Sequence, residues 1–130
     1  MGDSVLVVNR REVTTFFMHQ GIWWDMVWCL GLNDAQGPES IRWSVADSLK
    51  TPEGLLAYGM ASVNDAGIAE EIIIDWEYYF VPAVISHEII HVLMGPAANH
   101  RPGQPNYPAD LFGACVLPMP FDLPARPWRE

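Results

Sequence analysis

The residues whose types and spacing can do chemistry are His87-Glu88-Ile89-Ile90-His91, an HExxH pattern. On a helix, positions four apart lie one above the other on the same face, so the two imidazoles come within reach of one tetrahedral ion. Glu88 is turned from His87 by about a quarter turn. It stands beside such an ion rather than on it, where a carboxylate can take a proton from a metal-bound water. Zinc (Zn2+) is the ion this pattern suits, and chance places HExxH in well under about one chain in a hundred of this length. A catalytic zinc wants three protein ligands and one open position. His100, the only later histidine, is the preferred third ligand, in the loop AANHRPG; Tyr107, Asp110 and Asp122 are the oxygen alternatives. His19, far upstream, is expected to serve packing or to lie at the surface.

These side chains need elements to hold them. Residues 81–94 read as a helix, with Pro82 in the first turn, where its missing N–H costs nothing, and Gly95-Pro96 as a stop. Ile85, Ile89 and Val92 form its expected core-facing stripe, leaving His87 and His91 to face a cleft. Upstream, apolar residues recur at near-helical spacing over residues 12–31. Gly21 interrupts them, so the firmer helix is expected over 22–30, closed by Gly31. Residues 41–45 alternate like a half-buried strand. Residues 55–63 suggest a second, with Gly59 marking a bulge or a close approach. The three isoleucines within residues 71–76 favour a third. Eight of the eleven prolines lie from Pro96 to Pro127, so the last third reads as loop, with a short helix expected over 109–115.

Composition bounds the whole. A length of 130 residues suits one domain, and 50% hydrophobic with 18% charged residues marks a folded chain. A chain this size can bury enough surface to fold without metal, so a metal site would serve chemistry. Seven basic against sixteen acidic residues, a net charge of −9, argue against nucleic acid or anionic membrane as a partner. No apolar stretch is long enough for a membrane span, and Arg10 and Arg11 follow the apolar run at 5–8, the reverse of signal-peptide order. Cys29 and Cys115 are too far apart for a CxxC motif; they fit either one disulfide or two buried thiols.

The helix HEIIHVLMG resembles the active-site helix of the zincin metallopeptidases, with the HExxH core complete. The metzincin extension is absent, since the glycine falls one place late at Gly95 and the third histidine later still at His100. The glutamate-bearing second helix of thermolysin-like members is also absent, because Glu130 is the only glutamate after Glu88. The chain further resembles a group of small bacterial HExxH proteins, through Cys29-Leu30-Gly31-Leu32, His100-Arg101-Pro102 and Phe112-Gly113-Ala114-Cys115. The resemblance implies an α+β, zincin-like single domain over residues 1–130: a small twisted sheet, a backing helix, an active-site helix and a proline-rich C-terminal loop region. It implies a Cys29–Cys115 disulfide, His100 as third ligand and an extracytoplasmic or secreted location. It also implies that the strand at 71–76 pairs with an extended substrate.

The expected activity is zinc-dependent hydrolysis of a peptide or protein substrate, endopeptidase rather than exopeptidase, with Glu88 as general base. Tyr107 or Tyr79 is expected to steady the oxyanion. The aromatic run Trp76, Tyr78, Tyr79, Phe80 suggests a pocket near the cleft, or core. Two other readings stand beside this one: a zincin-like metal-binding interaction module without turnover, and a structural protein in which HExxH is accidental.

Overall fold

Short strands alternate with two helices along the chain. A computed structural model describes residues 5–66, 68–95 and 115–118. The order is β1 (Leu6–Val8), β2 (Arg11–Glu12), α1 (Phe17–Cys29), β3 (Arg42–Ala46), β4 (Ser48–Lys50), β5 (Gly59–Val63), β6 (Ala69–Asp75) and α2 (Pro82–Met94). Strands β2-β3-β6-β5 form one sheet and β1-β4 a second, making a small mixed α+β domain. The proline-rich region and most of the short helix expected at 109–115 lie outside the described residues.

Helix α1 begins five residues before the expected 22–30 segment. The cause is local: the Phe16 backbone N–H donates to His19 Nδ1 at 3.3 Å, satisfying a group at the helix entrance. A Cβ on Gly21 would meet nothing within 4 Å, so this glycine interrupts nothing. At the other end Gly31 takes φ +70°, and Gly31 and Leu32 donate to the carbonyls of Trp28 and Val27, the Schellman arrangement that stops a helix. Helix α2 starts at Pro82 and ends at Gly95, as its punctuation predicts.

The four-stranded sheet is covered on both faces, which explains its run of isoleucines. Strand β3 pairs in parallel with β6, Trp43 beside Ile72 and Val45 beside Ile74. These four residues enter the main core with Ile85 and Ile89 of α2 and Trp23 of α1. The alternate residues Ala46 and Ile73 pack with Leu49 and Ala57 in a second cluster on the side of β1 and β4. On that side Glu71 is buried, accepting from Arg10 Nε at 2.7 Å and from the Ser44 hydroxyl. Strand β3 is therefore buried on both faces over Trp43–Ala46 rather than half-buried as its alternation suggests.

Of two sequence expectations about the strands, one is met and one changes. Of the two roles expected of Gly59, a bulge or a close approach, the structure shows the close approach, and the register irregularity falls instead between Ser62 and Val63. Strand β6 cannot pair with a substrate, because β3 occupies one of its edges and β5 the other. The edge strands are β2 and β5; β5 runs antiparallel to β6, and no described strand pairs with its outer side.

Candidate metal centre

Helix α2 holds His87 and His91 one turn apart, with Nε2 atoms separated by 3.2 Å and ring planes inclined at 69°. Two nitrogens, each about 2.0–2.1 Å from a tetrahedral zinc, stand about 3.3–3.4 Å apart, so the separation here is close to one edge of such a coordination shell. The donors present thus fit two of three required ligands. Among the described residues no group of three potential ligands forms. His100, Tyr107, Asp110 and Asp122, the candidates for the third place, lie outside the described residues.

Neither ring of the pair expected to face a cleft is open to solvent. His87 is 3% exposed and His91 7%. The physical reason is that α2 packs on α1 as well as on β5 and β6, so residues 83–91 are buried around the whole helix. The apolar stripe explains the side toward Ile85 and Ile89. It does not explain why the polar side is dry.

Small residues of β5 supply part of that answer. A Cβ placed on Gly59 would stand 3.3 Å from Glu88 Cγ and 3.0 Å from the Ile73 carbonyl oxygen. Glycine at this position lets the glutamate stem lie against the strand. Glu88 is fully buried, and neither carboxylate oxygen has a hydrogen-bond partner. Burial therefore pushes its carboxyl well above the ordinary glutamate value. An acid held in this way, on the same helix turn as the two histidines, has the unsatisfied acceptor capacity a proton-transfer group needs. Gly59 was legible as a close approach, but nothing in the sequence paired it with Glu88.

Ser86, next to His87, went unnoticed in the sequence and links the site to the C-terminal part of the chain. Its hydroxyl donates to the Ala83 carbonyl at 3.1 Å and accepts from the Leu117 N–H at 3.0 Å. Two residues earlier Cys115 joins Cys29 at the end of α1 through a disulfide, with 86 residues of sequence separation. Residues 115–118 are thus tied to α1 covalently and to α2 through Ser86. This resolves the two alternatives for the cysteines.

The aromatic run divides differently from the expected pocket. Tyr78 and Tyr79 are core residues, whereas Trp76 and Phe80 are about half exposed. The exposed pair lines a hollow of about 490 Å³ with Arg11, Val13 and Phe16, and neither histidine borders it. Tyr79 does not steady an oxyanion here: its hydroxyl donates to the Thr14 carbonyl at 3.1 Å, and burial raises its pKa to about 12. Its ring stacks on His19 with centroids 4.1 Å apart. His19 is fully buried and hydrogen-bonds the Tyr79 carbonyl through Nε2 at 2.8 Å. It is a packing residue, which fastens the start of α1 to the turn before α2. Desolvation lowers its pKa, partly opposed by that bond to Tyr79.

Among the described residues, no helix is long and apolar enough to cross a membrane. No protein-family model, no curated protein and no solved structure matches the chain, so the centre rests on its own geometry.

Proposed function

We propose that this chain is a zinc-dependent peptidase, with His87 and His91 holding the ion and Glu88 acting as general base. The observation that carries the reading is the Nε2–Nε2 separation of 3.2 Å, alongside a buried carboxylate with no other partner. His100 is proposed as third ligand, with Tyr107 or Asp110 as alternatives. Resemblance to the zincins rests on the same helix.

When bound, zinc brings the pKa of a coordinated water towards neutrality and polarises a substrate carbonyl. The chain's own residues do the rest. His87 and His91 fix the position of attack because α2 is clamped between α1 and the sheet. Glu88 accepts the proton of the attacking water and returns it to the departing amine. Its dry surroundings strengthen the attraction between a carboxylate and a nearby cation, which opposes the burial that favours the neutral acid. Strand β5 offers an edge that no described strand occupies, where an extended peptide can join as an added strand. Gly59 on β5 touches the Glu88 stem, so a segment added there would run past the base.

Burial of both imidazoles favours a second reading: a metal-binding module that holds zinc without turnover. One experiment separates them. Purified chain is assayed for zinc by mass spectrometry and for cleavage of a broad peptide library, beside His87→Ala and Glu88→Gln. The peptidase reading expects one zinc per chain, loss of zinc in His87→Ala, and zinc without cleavage in Glu88→Gln. Zinc with no cleavage by the wild-type chain selects the module. Absence of stoichiometric zinc overturns both and leaves the accidental motif.

A further inference from the structure

Helix α1 is apolar on two opposite sides, and the core uses only one. Its inner side, Ile22, Trp23, Met26 and Val27, is buried in the main cluster. On the outer side Phe17 is 92% exposed, Trp24 49% and Trp28 86%. Phe17, Gly21, Trp24 and Trp28 are spaced by four, three and four residues, so they fall within an arc of about 60° on a 3.6-residue helix. A helix apolar all round belongs in an interior. We propose that this outer face is the interface of a homodimer, in which α1 packs against α1 of a second copy, antiparallel about a two-fold axis.

The pattern itself is self-complementary, which is what a two-fold interface requires. Run antiparallel in the register that sets Phe17 level with Trp28 of the other copy, Gly21 comes level with Trp24, and each pairing occurs twice. A Cβ on Gly21 would meet nothing within 4 Å, so the glycine leaves a notch with room for a large ring. Aromatic side chains attract edge to face and each can bury about 150–250 Å². From their exposures, the three rings would remove roughly 500 Å² per copy, or about 1,000 Å² in all, the lower bound for a specific interface.

Charge bears on the choice of occupant. The chain carries a net charge of −9, and α1 contains no lysine or arginine. Helices that lie on membranes set cations beside their aromatic face, which α1 lacks. The same net charge opposes self-association, but Asp25 is the only carboxylate on α1, and repulsion beyond about 8 Å is screened at physiological salt. The dimer therefore tightens as salt is added. Helix α1 meets α2 through its inner side, so this interface leaves the His87–His91 pair untouched.

Sedimentation equilibrium on the full chain, from sub-micromolar to tens of micromolar, tests this. The expected result is a reversible dimer with a dissociation constant in the micromolar range, tighter in added salt. Trp28→Glu should weaken it about thirtyfold or more, as for a central aromatic anchor. Gly21→Leu keeps the face apolar yet fills the notch, and should weaken it about tenfold. Both positions are exposed, so unchanged far-UV dichroism will show that each variant is folded. A native chain that stays monomeric at tens of micromolar overturns the proposal, as does co-sedimentation of that monomer with phosphatidylcholine vesicles. A dimer that survives Trp28→Glu places the interface elsewhere. Tighter association of Gly21→Leu refutes the register.

Discussion

Replacing Glu88 by Gln should change the pH dependence of stability in the metal-free chain and remove hydrolysis in the zinc-loaded one. The carboxyl is fully buried without a hydrogen-bond partner, and its folded pKa lies well above the unfolded value of 4.5. The sign follows from linkage. A group whose pKa is raised by folding stabilises the fold below its unfolded value, and that stability is lost as pH rises towards the folded value. Within that window the slope is about 1.4 kcal/mol per pH unit. Glutamine is neutral throughout. Its own unpartnered amide adds a penalty of about 1–3 kcal/mol, but one independent of pH. The stability of Glu88→Gln relative to wild type should therefore rise with pH at that slope, roughly 5 °C in Tm per pH unit for a chain of this length. The assay is thermal or urea unfolding at pH 5, 6 and 7 in the presence of a chelator. Histidine titration is common to both proteins and cancels in the difference. Parallel curves would mean that water or a donor reaches the carboxyl, and the dry pocket would be wrong. With zinc restored, cleavage should fall by about two to four orders of magnitude.

Other perturbations test the surroundings. Gly59→Ala presses a methyl against the Ile73 carbonyl and the Glu88 stem and should cost about 1–3 kcal/mol in urea unfolding; an unchanged midpoint would show that β5 and α2 are less tightly apposed. Reducing the Cys29–Cys115 bond, which closes a loop of 86 residues' separation, should remove about 4–5 kcal/mol by loop entropy. Urea curves with and without dithiothreitol measure it, and coincident curves would contradict the cross-link. His19 contributes stability above its unfolded value of 6.5 that is lost as pH falls through its depressed folded value, since a proton on Nδ1 displaces the Phe16 N–H. His19→Phe should be less stable at pH 8 yet show a shallower acid decline between pH 6.5 and 5. An equally steep decline would assign the acid sensitivity to other groups.

Much of α2 was legible because its signals are local. Proline at the start, glycine at the end and the spacing of Ile85 and Ile89 together specify the element and one buried side. The start of α1 was not legible, because the bond that extends it joins the His19 ring to a backbone N–H, and no propensity describes such a pair. Strand pairing was hidden for a related reason. The isoleucines of β6 announce a buried strand, but its parallel partner β3 lies across residues 47–68, and only the assembled sheet shows that β5 is an edge strand with no described partner on its outer side.

The least legible feature is also the one on which the proposed function turns. Periodicity marks the side of α2 that is apolar and leaves the side bearing His87, Glu88 and His91 looking wet. In the fold that side is dry, in part because Gly59, 29 positions earlier, lets the strand close over the glutamate. Sequence polarity reports what a side chain can do with water, not whether water reaches it. The distinction has a chemical consequence. An exposed HExxH would combine two ordinary imidazoles with an ordinary carboxylate. Buried, the carboxyl is pushed toward its neutral form, and a cation held at the paired Nε2 atoms, as proposed, would instead favour the charged form while leaving the packing in place. In the proposed peptidase, metal affinity and base strength would therefore be coupled, both through how closely β5 approaches α2.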